Sequence, residues 1–113
     1  MSSVSILTIA DLDPSVISTE LVGEQHGIEA SFIFVDAEPG RGPKLHRHAY
    51  PEIFIVQEGE VTLVADGQEH VARAGQVVIL GAGVAHSFKS TGQGRLRQVD
   101  IHLHPRFETE WLE

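Results

Sequence analysis

Residues 40–59 read GRGPKLHRHAYPEIFIVQEG, and this stretch decides the fold. His46 and His48 lie two positions apart in a run that favours a strand, so both side chains project from the same face. Two steps of about 3.3 Å place their Cβ atoms roughly 6–7 Å apart. At that separation two imidazoles can converge on one ion, with metal–nitrogen bonds of about 2.1 Å. Glu52 opens the next predicted strand after the break at 49–51, and it adds a carboxylate oxygen.

A second segment, residues 75–86, reads GQVVILGAGVAH and ends on another histidine. A turn at 81–83 precedes His86, which opens a later strand that could cross to the same point. Three nitrogens and one carboxylate suit a divalent first-row metal and leave positions open on a six-coordinate ion. By itself a His-x-His pair is a weak pattern, since His46 and His48 could also be polar surface residues of an edge strand.

Turn residues recur at short intervals along the chain, separated by runs rich in valine, isoleucine, phenylalanine and threonine. The predicted strands are 17–22, 28–35, 44–48, 52–57, 60–65, 68–72, 76–80, 86–89 and 95–103. Many short strands at this spacing predict an all-β sandwich or barrel. Asp66-Gly67 is the strongest hairpin pattern. A single helical turn is predicted at 11–15, and the alternating tail 107–113 predicts a final strand packed against a partner subunit.

The two histidine segments together resemble the two motifs of the cupin superfamily. Residues 40–59 fit G-x5-H-x-H-x3-E-x6-G at every fixed position, and residues 75–90 resemble G-x5-P-x-G-x2-H-x3-N. Gly81 stands where the family usually has proline, which loosens a turn, and Ser90 stands where it usually has asparagine. Neither departure touches a candidate metal ligand.

The resemblance implies one all-β domain over residues 1–113, a cupin jelly-roll β-barrel or sandwich with a metal ion inside one open end. It also implies a homodimer. One divalent transition metal ion is expected, either Fe, Mn, Ni, Cu or Zn. The predicted metal ligands are His46, His48, Glu52 and His86.

The leading functional hypothesis is a metal-dependent enzyme that oxidises or cleaves a small organic molecule with O2, as a dioxygenase does. The superfamily also contains isomerases, decarboxylases, lyases and binding proteins, so its fold cannot choose among them. A metal-dependent isomerase or lyase is one alternative. A non-catalytic small-molecule-binding or sensor protein is another, and a purely structural metal is a third.

Two residues are candidates for proton transfer. Glu52 might leave the ion and act as a base. His102 shares strand parity with Gln98 and Asp100, and this polar face borders either a pocket or solvent. Five further residues are candidates for the substrate pocket, each with a simpler alternative in core packing, at the rim or on the surface. These five are Phe54, Val56, Phe88, Tyr50 and Gln57. Phe32 and Phe34 are predicted to pack the interior, and His26, His70 and His104 to face solvent.

Composition excludes several functions. Eight Lys and Arg against sixteen Asp and Glu give a formal charge of -8, which argues against nucleic acid and against a polybasic membrane surface. The chain has no cysteine, which excludes disulfides and thiol chemistry. It shows neither a signal peptide nor an apolar run of about 18 residues, so a cytoplasmic protein is expected. Arg41, Lys44 and Arg47 either attract an anionic substrate or form a solvated rim.

Overall fold

The structure is a computed structural model that describes residues 3–113, and two antiparallel sheets make up its framework. The described elements in chain order are the 3-10 helix Ile9–Asp11, β1 (Asp13–Pro14), β2 (Ser18–Leu21), the 3-10 helix Gly23–His26, β3 (Ser31–Ala37), β4 (His46–Arg47), β5 (Glu52–Glu58), β6 (Glu60–Ala65), β7 (Gln68–Arg73), β8 (Val77–Leu80), β9 (His86–Ser90), β10 (Leu96–His102) and β11 (Glu110–Trp111). The predicted all-β architecture is confirmed.

One sheet has six strands in the order β1-β2-β3-β10-β5-β8, and the other has five in the order β11-β4-β9-β6-β7. The hairpin between β6 and β7 turns at Asp66 and Gly67, whose φ angles are 49° and 77°. Two successive positive φ angles are typical of the tight type I′ turn, as this dipeptide predicts. The long connections run between the sheets, so ligands from distant parts of the sequence can meet inside.

The hydrophobic core lies between the sheets. Strand residues alternate between buried and exposed, because successive side chains point to opposite faces. Phe54 is fully buried, and its ring meets that of Phe88 edge-on at 5.3 Å. The core residues are Val35, Ala37, Phe54, Val56, Val61, Leu63, Ala72, Leu80, Phe88 and Leu96. This apolar layer forms the floor beneath the candidate metal ligands.

The predicted helical turn at 11–15 is wrong. The helical residues are Ile9–Asp11, and Asp13–Pro14 forms β1, which pairs with β2. A residue before proline is restricted to extended backbone, which ends the helical turn before Asp13. Among residues 3–113, no helix is long and apolar enough to cross a membrane.

The outer face of the six-stranded sheet is apolar across five adjacent strands. Phe32 and Phe34 lie on this face and stack at 6.5 Å, so their predicted place in the interior is wrong. On β3 the residues of opposite parity point inward, from Ser31 to Ala37. The face comprises Leu21, Phe32, Phe34, Ile53, Ile55, Val77, Ile79, Val99 and Ile101.

The C-terminal tail forms a strand within this chain. Trp111 pairs with His46 in the β11–β4 ladder, and its ring lies 5.0 Å from the His46 ring. Arg47 and Glu110 form an exposed ion pair at 2.8 Å on the same ladder. The tail therefore covers one candidate ligand from its own chain, where the sequence predicted a contact with a partner subunit.

Candidate metal centre and ligand cavity

The four predicted ligands come together between the two sheets. His46 on β4 is the register partner of His86 on β9, and His48 follows two residues after His46. Glu52 opens β5 of the opposite sheet. All four are buried, with exposures of 2–6%, and their ligand atoms lie within 4.8 Å of one another.

The Glu52 carboxylate is the centre of this cluster. Its Oε1 lies 3.2 Å from His48 Nε2 and 3.0 Å from His86 Nε2. The His46 ring lies 5.0 Å from the His48 ring and 4.3 Å from the His86 ring. Atoms this close can bind a single ion after small side-chain rotations.

Backbone carbonyls fix the orientation of all three histidine rings. The Nδ1 of His46 donates to the Lys44 carbonyl at 2.6 Å, and that of His86 donates to the Val84 carbonyl at 2.8 Å. The Nδ1 of His48 donates to the Glu108 carbonyl at 3.0 Å. A carbonyl only accepts, so each Nδ1 carries the proton and each Nε2 keeps its lone pair. This anchoring is typical of metal-binding histidines.

The chemistry of this donor set fits a divalent metal. Lone pairs on Nε2 face the negatively charged Glu52 carboxylate, an arrangement that needs a positive charge between them. The Nε2 atoms of His48 and His102 are buried and have no hydrogen-bond partner within residues 3–113. Buried polar atoms are normally satisfied. His46, His48, Glu52 and His86 therefore suit an ion with nitrogen and oxygen ligands.

His102 lies at the same centre, which strand parity alone left open. It is 2% exposed, and its Nε2 is 3.0 Å from Glu52 Oε2. Its Nδ1 is 2.8 Å from the Tyr50 hydroxyl, which also accepts the Glu108 N–H at 3.2 Å. His102 thus connects Tyr50 to the carboxylate. The predicted exposure of His26 and His70 is confirmed, whereas His104 is half-buried and pairs with Glu108 at 2.9 Å.

The protonation states suit metal binding. Burial lowers the pKa of His46 to about 4, against the opposing effect of its hydrogen bond to Lys44. Burial acts to raise the pKa of Glu52, but its interactions with His102, His48 and His86 outweigh this and hold that pKa well below its usual range. At neutral pH His46 is therefore neutral and Glu52 is charged, as a metal requires of its ligands.

A cavity of about 290 Å³ opens over the cluster. Its wall includes His46, His48, Glu52 and His102, together with Phe88 from the predicted pocket. Its remaining lining residues come mainly from β2, β3 and the C-terminal segment, which the sequence had not assigned to a pocket. The cavity is slightly below the size of most ligand sites, so it suits a small molecule.

The other predicted pocket residues lie elsewhere. Phe54 and Val56 belong to the core, and Phe54 meets His86 edge-on at 6.3 Å. Tyr50 is 7% exposed, so it is buried beside His48 and His102 rather than at the rim. Gln57 is exposed on the outer face of β5. That position is contrary to the prediction, and it follows from the parity Gln57 shares with outward-facing Ile55.

Sequence reasoning did not assign two buried polar residues to the site. Gln98 and Asp100 are 1% and 3% exposed, and Gln98 Nε2 donates to Asp100 Oδ1 at 2.7 Å. Burial raises the pKa of Asp100 well above its usual range, and the Glu52 carboxylate adds to this effect. Asp100 lines the cavity. The parity shared with His102 was the pattern that could have identified both.

Comparisons with known proteins place this chain in a family. The sequence profile of the cupin domain matches residues 33–102, a range that contains both histidine segments and every strand from β4 to β10. The chain belongs to the cupin family. Within that family it has the buried cluster of three histidines and one glutamate described above.

One curated relative is the HTH-type transcriptional regulator PuuR of Escherichia coli, 34% identical over 79 residues. The match covers 68% of the cupin chain and 42% of the regulator, so it spans less than half of that protein.

Two solved structures share the fold. A cupin-like protein from Thermotoga maritima is 25% identical, with a TM-score of 0.74 over 84% of this chain and 74% of that one. Oxalate decarboxylase from Bacillus subtilis, which has Mn(II) centres, is 18% identical, with a TM-score of 0.74 over 88% of this chain and 29% of the decarboxylase.

Proposed function

We propose that this cupin is a metal-dependent enzyme that oxidises or cleaves a small organic molecule with O2. The observation that carries the proposal is the joining of a metal-ligand cluster to a closed cavity. His46, His48, Glu52 and His86 would hold the ion and occupy four of six positions. The remaining positions would face the cavity of about 290 Å³, where a substrate oxygen can bind.

A bound divalent ion supplies Lewis acidity toward substrate oxygen atoms and, when it is redox-active, a route for electrons. The apolar walls formed by Ile33, Val35 and Phe88 exclude water and shape the space above the cluster. This arrangement leaves binding and proton handling to the residues of the chain.

Tyr50, His102 and Glu52 form a chain that can hold a proton beside the substrate. Burial raises the pKa of Tyr50 to about 12, so its hydroxyl stays protonated and can donate to His102 Nδ1. The ring proton of neutral His102 then resides on Nε2, next to Glu52 Oε2. His102 is in place to accept or return a proton during turnover.

Oxygen consumption tests this function. Protein loaded with Fe(II) or Mn(II) is mixed with catechols, enols and β-diketones in an oxygen electrode, with chelator-treated protein and free metal as controls. We expect metal-dependent uptake of one O2 per substrate molecule, both oxygen atoms entering the product. Uptake no greater than that of the free metal with every substrate class would overturn the oxygenase proposal.

A second candidate function is a ligand-binding module without turnover, and the similarity to the PuuR regulator favours it. The same cavity would then hold an effector molecule. This candidate predicts saturable, metal-dependent binding of a compound that the protein leaves chemically unchanged. Mass spectrometry of the recovered compound distinguishes this outcome from the enzymatic one.

We also propose a homodimer that packs two copies through the apolar outer face of the six-stranded sheet. Val77 and Ile79 are 59% and 75% exposed there, and the Arg97–Glu58 ion pair at 3.2 Å lies at its edge. An apolar patch with a polar rim is typical of an interface, and a two-fold axis lets one face serve both copies.

The dimer is tested by light scattering after size-exclusion chromatography. We expect a mass of twice 12.3 kDa for the native protein and a shift to monomer for Ile79→Lys. Val71→Lys is the matched control, because Val71 is 44% exposed on β7 of the other sheet. A native protein that runs as a monomer would contradict this proposal.

A further inference from the structure

The charges around the cavity are of one sign. Glu20 and Asp100 line its wall with Glu52, whereas none of the residues from 3 to 113 that line it is a lysine or an arginine. All eight basic side chains of the protein are exposed outside it. A cleft whose fixed charges share one sign attracts a ligand group of the opposite sign.

The three basic residues near the mouth do not change this picture. Arg47 is engaged by Glu110 on the outer surface, and Arg41 and Lys44 are exposed and do not line the cavity. An anionic substrate would therefore enter a space that offers no basic partner. The structure favours the solvated-rim interpretation of these residues over attraction of an anion.

Glu20 lacks a positively charged partner of its own. Its register partner on β1 is Asp13, a like-charged residue directly across the strand pair. Burial raises the pKa of Glu20, and Asp13 raises it further. Like charges directly opposite each other destabilise a strand pair. A cation bound at Glu20 would relieve this repulsion.

Two further observations point to a ligand at this end. His102 Nε2 is buried without a hydrogen-bond partner within the described chain, and it lines the cavity. Phe107 and Trp111 also line the wall. Aromatic faces combined with carboxylates are a recognised way to bind ammonium groups.

We propose that the cavity selects a small organic cation that carries a metal-binding oxygen at one end and an ammonium group at the other. The oxygen binds at the metal centre, and the ammonium group lies between Glu20, Asp100 and the aromatic rings. This inference rests on the proposed function, whose ligand it specifies. It excludes small dianions such as oxalate as preferred ligands.

Three catechols with the same metal-binding head and different tails test the charge preference. They are dopamine, with an ammonium tail, the neutral 4-ethylcatechol, and 3,4-dihydroxyphenylacetate, with a carboxylate tail. Each is titrated by calorimetry, without oxygen, into Mn(II)-loaded and metal-free protein. We expect dopamine to bind about tenfold more tightly than 4-ethylcatechol, and the acid to bind most weakly, since a tenfold change is the effect of one moderately screened ion pair.

Glu20→Gln removes the charge and keeps the shape, so we expect the dopamine preference over 4-ethylcatechol to fall below about threefold. Glu69→Gln is the matched control, because Glu69 is exposed on β7 away from the cavity. Metal-dependent binding with equal or reversed preference would overturn this inference and leave the proposed function standing. A lack of metal-dependent binding by every probe would overturn both.

Discussion

Replacing His46 and His86 by alanine together is expected to abolish metal binding. The two histidines are register partners, so the double variant removes both ligands supplied by the β4–β9 pair. Loss of even an outer partner of a metal ligand typically costs 10–100-fold in affinity, and loss of two direct ligands costs more. We expect the metal content to fall from about one equivalent to below about one tenth.

The fold should survive this change. Neither histidine belongs to the hydrophobic core cluster, which lies beneath them. The far-ultraviolet circular dichroism spectrum should remain that of a β protein. His26→Ala with His70→Ala is the matched control, because both of these histidines are exposed. Elemental analysis of untagged protein measures the outcome, and a full equivalent of metal in the His46/His86 variant would refute the ligand assignment.

The ligand cluster could be predicted from the sequence because its information is local. His46 and His48 share a face through the two-residue period of a strand, and the motif spacing adds Glu52 and His86. The structure places these four residues in one buried group. The Asp66-Gly67 hairpin was equally predictable, since its positive φ angles depend on the dipeptide itself.

The residues around the cluster could not be predicted in the same way. Parity showed that Gln98, Asp100 and His102 share a face, but an isolated strand does not show which face is inward. The outer face misled the prediction for Phe32 and Phe34, because an apolar outward face resembles an inward one in sequence. Its apolar character follows from a demand other than the core, for which we propose contact between subunits.

The proton chain and the cavity depend on contacts across the whole chain. Tyr50 meets His102 across 52 positions, and His48 is anchored by the Glu108 carbonyl 60 positions away. No local pattern encodes such a pair. The C-terminal tail supplies Trp111 to the cavity wall for the same reason, through pairing of β11 with β4.

Metal affinity is expected to fall steeply as the pH decreases from 7 to 5. Burial acts to lower the pKa of His48, but Glu52 and the Glu108 carbonyl outweigh this and raise it. The metal-free protein therefore holds a proton on His48 below that raised pKa, and the ion must displace it. One displaced proton weakens binding about tenfold per pH unit, or about 100-fold over this range.

His46 and Glu52 set the limits of this dependence. The pKa of His46 is lowered to about 4, so its proton competes only as the pH approaches that value, where the slope should steepen. The pKa of Glu52 is held below its usual range, so the carboxylate stays charged throughout. Proton competition between pH 5 and 7 therefore comes from His48 rather than from all four ligands.

Calorimetry with Mn(II) between pH 5 and 8 measures this effect. Repeating each titration in two buffers of different ionisation enthalpy counts the protons released, and we expect about one near pH 6. His70→Ala should give the same pH profile as the native protein, since His70 is exposed and distant from the cluster. Affinity that stays constant from pH 5 to 8 would show that the ion does not compete with protons for these imidazoles, which neutral histidine ligands require.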